Sequence, residues 1–419
     1  MTLPRLLQGA TAAPMTYAHH RRVHGELWGA ARAGELLAEI KRSGLRGRGG
    51  AAFPLAIKVD AVRRSRRTPI LLANGCEGEP MSVKDRLLIA TLPHLVIDGA
   101  LALARAIGAG ETLFAVDELS VRAGEALQRA LSERPDLDHA RLQPEIIWAP
   151  PGFITGQESA LVRWCNEGIA KPSSVPPRVT ERGIAGRPTL VCNVETLAHV
   201  ALIARHGADW FAALGSADDP GSALVTLSGS VRRPGVYEIA HGSSLGSLLT
   251  AADGPSEPTR AFLLGGYAGS WIDSADGPRI RLSRGELRPF RARLGSGIVV
   301  ALPRTACPVA ETTRIAGWLA DQSSGQCGPC THGLAAIADD LHGLCEGSAG
   351  PDGLYRVSRW CELASGRGAC AHPDGTASFV TSALRVFADE FSDHAQHGPC
   401  DACEQPPVLR LPGQLSGTV

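Results

Sequence analysis

Between Gly29 and Arg205, short apolar runs alternate with longer stretches whose apolar residues recur every three or four positions; no other feature of the sequence limits the fold as tightly. Strands are expected at Ile70–Asn74, Leu113–Val116, Glu145–Trp148 and Thr189–Asn193, and helices at Ala30–Ser43, Pro54–Arg66, His94–Ile107, Ser120–Leu131 and Glu158–Glu167. Strands spaced by helices of this length form βαβ units, so the region is expected to be a Rossmann-like α/β domain with a parallel sheet. Function then belongs in the loops at the strand ends.

The rhythm changes twice further on. From Ala223 to Pro303 it becomes short β runs (Ala223–Ser228, Gly235–Glu238, Ala261–Leu264, Gly297–Ala301) with one helix at Leu245–Ala251, and after Cys307 it is helical again: Thr312–Gln322, Cys330–Leu344 and Thr376–Phe391. A chain of 419 residues exceeds the ~250–300 at which single cores stop growing. The expected division is 1–27, 28–218, 219–304, 305–392 and 393–419. Lys and Arg (42) balance Asp and Glu (42), which argues against nucleic acid as a partner. The most apolar stretch, Leu95 to Gly110, is interrupted by Asp98 and Arg105, so no direct membrane insertion is expected. The first 25 residues hold no acid and no apolar signal core, and are read as a ragged cytoplasmic N-terminus.

Four loops carry candidate chemistry. Gly47-Arg48-Gly49-Gly50, followed by Ala51, Ala52, Phe53 and Pro54, joins two helical stretches; its glycines let backbone N–H groups approach an anion, and Lys58 adds positive potential. A strand end leads into Asn74-Gly75-Cys76-Glu77-Gly78-Glu79-Pro80, whose carboxylates can bond sugar hydroxyls, and the Lys84-Asp85-Arg86 that follows can hold that loop by ion pairs. Phe153-Ile154-Thr155-Gly156-Gln157-Glu158 and Cys192-Asn193-Val194-Glu195-Thr196 are the other two. Taken singly, each is as well explained by a connector, a surface turn or a helix cap.

Cysteines gather at the other end of the chain. Eight of eleven fall between Cys307 and Cys403, a distribution that favours metal over disulfides. Ser324-Gly325-Gln326-Cys327-Gly328-Pro329-Cys330 precedes an apolar-periodic helix, and Cys370 follows forty residues later. On spacing alone Cys327 and Cys330 fit a redox pair, half a zinc site or two ligands of an iron–sulfur cluster. Cys400 and Cys403, with His394, His397 and Asp401 nearby, are open to a second metal site or a disulfide.

In this order, these motifs resemble the family of NADH-oxidising flavoprotein subunits of respiratory complex I over residues 28 to 392. Its flavin-phosphate motif Arg-Gly-Arg-Gly-Gly-Ala-Gly-Phe is similar to 46–53, with Ala52 in place of a glycine. Its Asn-Ala-Asp-Glu-x-Glu-Pro is similar to 74–80, with Cys76 for Asp; Gln157 replaces an acid and Cys192 an Asn in the later loops. The resemblance implies FMN against Gly47, Arg48, Gly49, Gly50, Lys58, Asn74, Glu77, Gly156, Gln157, Asn193, Glu195 and Thr196, with Phe53 as a stacking ring. It places Glu79 near the nicotinamide ribose and makes Glu79 and Glu158 the acids that tune approach. NAD(P)H is the implied substrate, although Val175 and Arg178 stand where the family has a lysine and an aromatic.

The resemblance further implies a [4Fe-4S] cluster on Cys327, Cys330 and Cys370, with Ser324 where the family's remaining ligand is cysteine. Three outcomes stay open there: a serine-ligated cluster, a substitute from Cys307, Cys345 or Cys361, or a three-iron or missing cluster. Ser228–Ile239, with its Arg233-Pro234-Gly235-Val236-Tyr237 turn, resembles the family's SLBB β-grasp module. The implied function is hydride transfer from NAD(P)H to FMN and single-electron transfer through the cluster to a protein acceptor, in the cytoplasm or docked to a membrane complex through other subunits. Two rivals are a flavin and iron–sulfur protein supplied with electrons by a ferredoxin-like partner, and a non-catalytic scaffold.

Overall fold

The computed structural model describes residues 3–27, 33–137 and 143–412; the expected helix start at Ala30 and the last seven residues of the tail lie outside this set. The chain divides into two compact units, the first formed by 1–78, 83–225 and 238–242 and the second by 79–82, 226–237 and 243–419.

The first unit opens with α1 (Tyr17–His24), α2 (Ala33–Ser43) and α3 (Leu55–Arg63), then alternates β1 (Ile70–Asn74), α4 (Lys84–Thr91), α5 (Pro93–Ile107), β2 (Glu111–Asp117), α6 (Val121–Ser132), β3 (Pro144–Ala149), α7 (Glu158–Glu167), β4 (Thr189–Asn193) and α8 (Val194–His206). It ends with α9 (Ala208–Ala212) and a two-residue ribbon, β5 (Gly215–Ser216) and β6 (Asp219–Pro220). The four longer strands form one parallel sheet in the order β3-β2-β1-β4. In β1 the burial is continuous up to Asn74, as expected of a strand covered on both faces. α5 starts with Pro93 at its first turn, ends on the left-handed Gly108, and is buried on nearly every side. Among the described residues no single helix is long and apolar enough to cross a membrane; α4 and α5 pass that test only together, across a 95° bend.

The expected ragged N-terminus is corrected. The Glu238 carboxylate accepts the N–H groups of Arg5, Leu6 and Leu7 at 2.7, 2.8 and 3.2 Å, and α1 is capped by Thr16. His20 bonds the buried Asp98 at 2.7 Å, and Arg134 and Arg205 bond the same carboxylate. Burial alone would raise the Asp98 carboxyl, but His20 and the two arginines hold it well below the usual carboxylate range.

The second unit comprises β7 (Ser222–Gly229), β8 (Gly235–Ala240), α10 (Leu245–Ala251), β9 (Thr259–Leu264), β10 (Ser270–Asp273), α11 (Arg284–Leu287) and β11 (Ile298–Pro303), with β7 and β8 each beginning or ending in the first. The sheet is mixed, in the order β10-β9-β11-β7-β8. Helices follow: α12 (Pro308–Asp321), α13 (Leu334–Cys345), α14 (Gly353–Ala364), α15 (His372–Val386) and α16 (Ala388–His397). Trp271 of β10 packs against Phe379 and Phe387, and its backbone N–H donates to Ser382 of α15 at 2.9 Å, so sheet and helices share a core. Two expectations are corrected here. The single helix Thr376–Phe391 is two, broken where Phe387 adopts φ −117°, ψ 36° with its ring in that core. Cys330 starts no α-helix: Pro329–Gly333 is a π-helical turn that leads into α13.

Candidate functional site

β1 and β4 are adjacent and in register, Asn74 beside Asn193, and the strand order turns back between them. In open α/β sheets that reversal leaves a crevice beyond the carboxyl ends of the strands. Three of the four motif loops leave β1, β3 and β4 at this edge.

The glycine loop is pinched at its base, where Leu55 donates to Leu45 at 3.0 Å and Gly47 to Phe53 at 2.9 Å. It rests directly on Asn193, since a Cβ on Gly49 would stand 3.3 Å from the Asn193 Cβ. The Arg48 N–H donates to Thr196 Oγ1 at 2.9 Å, while the guanidinium is buried, donates to the Ser222 carbonyl at 3.0 Å and lies 4.0 Å from Glu195. What this loop offers an anion is therefore backbone rather than the charge of Arg48. Ala52 takes φ +49°, the left-handed region, at the position where the family motif has glycine. Phe53 is 39% exposed. Lys58 donates to the Val191 carbonyl at 3.0 Å and pairs with Glu158.

The acidic loop is built inward. Asn74 donates to the Gly156 carbonyl at 2.8 Å and accepts from the Cys76 N–H at 3.1 Å. Glu77 accepts from the N–H groups of Asp85 (3.1 Å) and Arg86 (3.2 Å) and from Arg86 Nε (3.1 Å), which closes the start of α4. A Cβ on Gly78 would meet the Gly152 carbonyl oxygen at 2.5 Å, so this loop and the one after β3 touch backbone to backbone. Glu79 belongs to the second unit, where its carboxylate accepts the Tyr267 N–H at 3.0 Å.

The remaining motif side chains cap helices. Gln157 accepts the Ala160 N–H and the Ser159 hydroxyl, both at 2.8 Å, at the start of α7. Asn193 caps α8 by accepting from Glu195 N–H at 3.0 Å and donates to Asp85 at 2.7 Å. Glu195 is buried, accepting from Leu224 N–H at 2.9 Å and facing Lys84 at 2.8 Å; Lys84 also bonds Asp85 at 2.7 Å. Burial pulls the Lys84 ammonium down, but the Asp85 and Glu195 carboxylates more than offset it. Burial pushes the Cys192 thiol up to about 12 and raises Cys76 as well, so both behave as neutral packing groups.

In the second unit Ser324, Cys327, Cys330 and Cys370 come together. The Ser324 hydroxyl bonds the Cys330 sulfur, the Cys327 and Cys330 sulfurs interact directly, and Cys370 lies close enough to act on both. Burial opposes ionisation of Cys327, but backbone groups of Ala369 and Cys330 bond its sulfur and leave the thiol below its ordinary value. Of the three substitutes considered for Ser324, Cys307 bonds His394, Cys345 lies beside Cys403 and the Cys361 thiol bonds Thr381. Among the described residues it is Ser324 that accompanies the three cysteines. Cys400 and Cys403 are not bonded to each other in this structure; their sulfurs lie 3.8 Å apart.

Residues 40–202 match the family described as the Nuo51 FMN-binding domain, and residues 310–394 match the NADH-ubiquinone oxidoreductase-F iron-sulfur binding region. The chain is 31% identical over 379 residues to an F subunit of the NADH-quinone oxidoreductase of Rhizobium meliloti, a match covering 87% of this chain and 90% of that protein. It is 30% identical over 376 residues to the NADH-quinone oxidoreductase F subunit of Escherichia coli, covering 85% and 83%. A chain of the NAD+-reducing [NiFe]-hydrogenase in its air-oxidized state superposes with a TM-score of 0.81 at 31% identity; the match covers 90% of this chain but 65% of that one.

Proposed function

The chain belongs to the family of NADH-quinone oxidoreductase F subunits, and from that premise we propose that it oxidises NADH through FMN at the carboxyl edge of the parallel sheet and passes electrons singly to an iron–sulfur cluster. The observation that carries this is the strand reversal between β1 and β4, with Gly49 seated on Asn193 and the motif loops meeting there. The donor set fits the flavin: Gly49 and Gly78 let the loops pack backbone-close on Asn193 and on Gly152, and the glycine loop presents backbone beside a helix-capping network. It fits a cluster too, because three thiols and one hydroxyl converge at a turn with cysteine sulfurs already receiving backbone hydrogen bonds.

When bound, FMN supplies the exchange between a two-electron hydride and single electrons. The protein positions and tunes. We assign Gly47, Gly49 and Gly50 to the phosphate, Phe53 to stacking, Asn74 and Gly156 to the loops flanking the flavin, and the Lys58–Glu158 pair to the nicotinamide approach. Glu77, Gln157, Asn193, Glu195 and Thr196 act behind these, holding helix starts and the glycine loop. Cys327, Cys330, Cys370 and Ser324 are assigned as cluster ligands. Residues 219–304 are assigned to an SLBB-type β-grasp module with a docking role, and a separate redox protein to electron acceptance.

One observation favours a second reading. Val175 has no charge and Arg178 has no flat apolar ring, so these positions lack the lysine and the aromatic of the family motif. Anaerobic addition of NADH, NADPH or a reduced ferredoxin to the FMN-loaded protein separates the cases. Bleaching of flavin absorbance by NADH within seconds supports the proposal, and bleaching by ferredoxin alone selects electron entry from a protein donor.

A further inference from the structure

We propose that Cys307, His394, Cys400 and Cys403 bind one zinc ion that pins the chain beyond α16 to the start of α12. Their four donor atoms lie within 4.8 Å of one another. Cys307 Sγ is 3.5 Å from His394 Nε2, Cys403 Sγ is 4.0 Å from the same nitrogen, and the Cys400 and Cys403 sulfurs are 3.8 Å apart. Tetrahedral zinc takes thiolates at about 2.3 Å and imidazole nitrogen at about 2.0 Å, so the edges of its ligand tetrahedron measure roughly 3.5–3.8 Å. The 3.5 Å sulfur–nitrogen and 3.8 Å sulfur–sulfur spacings match these edges, and the 4.0 Å pair needs a small inward shift to meet its own. A multi-iron cluster would need the sulfurs farther apart, with several metal ions and sulfides between them.

Each ligand is prepared by its local structure. His394 directs Nδ1 to the Cys345 carbonyl at 3.2 Å, which turns the lone pair of Nε2 toward the sulfurs. Cys307 is the N-cap of α12, where the Ala310 N–H donates to its sulfur at 3.4 Å and fixes its direction. A turn closed by Cys403 N–H on the Cys400 carbonyl at 2.9 Å brings both sulfurs to one side. Four protein donors leave no open coordination position, which is the arrangement of a structural ion rather than a catalytic one. The segment it fixes then runs along α12, with Val408 and Leu409 N–H donating to Glu311 at 2.5 and 3.3 Å and the Tyr267 hydroxyl donating to the Arg410 carbonyl at 2.5 Å.

The test is metal analysis of the purified full-length holoprotein. About one zinc per chain is expected beyond the cluster iron, kept in Cys327→Ala and lost at least tenfold in Cys400→Ser/Cys403→Ser. Because the double variant risks misfolding, X-ray absorption at the zinc edge of the wild-type protein is the second measurement, expected to give three sulfurs at about 2.3 Å and one nitrogen at about 2.0 Å. Substoichiometric zinc after incubation with zinc sulfate, a Cys400–Cys403 disulfide by mass spectrometry, or zinc with oxygen-dominated ligands would each overturn the proposal.

Discussion

The edge of the parallel sheet and the cysteine-bearing helices are built on opposite terms. At the sheet edge the close contacts are made by backbone, at Gly49 and Gly78, and the side chains that depart from the family motif turn away into packing or caps: Cys76 and Cys192 are buried neutral thiols and Gln157 caps α7. Among the helices the work is done by side-chain atoms at Ser324, Cys327, Cys330 and Cys370. The first region should break when an atom is added, the second when one is removed. A cap needs only an acceptor oxygen, and Gln157 supplies one.

The largest expected effect is that of Cys327→Ala. It removes a central sulfur, so iron content should fall close to zero while FMN stoichiometry is unchanged; equal loss of both cofactors would erase the distinction. Gly78→Ala is the converse. Its added Cβ would collide with main-chain oxygen at 2.5 Å, a clash that only backbone movement relieves and that costs about 1–3 kcal/mol. FMN affinity should drop and iron content hold. Wild-type affinity in this variant would show that the two loops do not shape the cradle.

Acid should separate the regions in the same sense. Burial and neighbouring cations push His24 down to about 3 and His94 to about 4, so both must be neutral in the first unit. Their contribution is complete above the unfolded value near 6.5 and is lost as pH falls toward 4 and 3, on the order of 3 kcal/mol after solvent screening. Asp98, held low, adds a loss below about pH 4. Thermal unfolding followed by flavin release should therefore weaken below pH 6.5, and His94→Gln should flatten the upper part of that slope. The smallest effect is expected from Ala52→Gly, which relieves a left-handed residue worth about 1 kcal/mol against glycine's own entropy cost of similar size. A melting temperature within a few degrees of wild type and unchanged FMN binding fit; a large loss would mean that the alanine methyl packs.

The sequence carried the sheet edge well because its signals are local. β1, α7 and β4 fall at the limits read from apolar runs and their bounding residues, Ile70–Asn74, Glu158–Glu167 and Thr189–Asn193. α4 went unread because its helix start is fixed by Glu77, a tertiary partner that an eight-residue polar-rich segment does not announce. β10 went unread for a similar reason, being four residues long and paired only with β9. Long-range partners were beyond reach: Glu79 meets Tyr267 188 residues later, and Cys307 meets His394 87 residues later. The ion pairs of the Lys84-Asp85-Arg86 segment were anticipated, but not that Lys84 would also face Glu195.

The central claim is that one chain carries electrons from NADH through a flavin at the sheet edge to a cluster on the cysteine helices. Electron paramagnetic resonance of the anaerobic, FMN-loaded holoprotein, frozen after adding NADH, tests it most directly. A reduced iron–sulfur signal is expected to appear with NADH and to be absent from Cys327→Ala. A flavin that stays oxidised, or one that is reduced while the cluster of the wild-type protein stays silent, would contradict it.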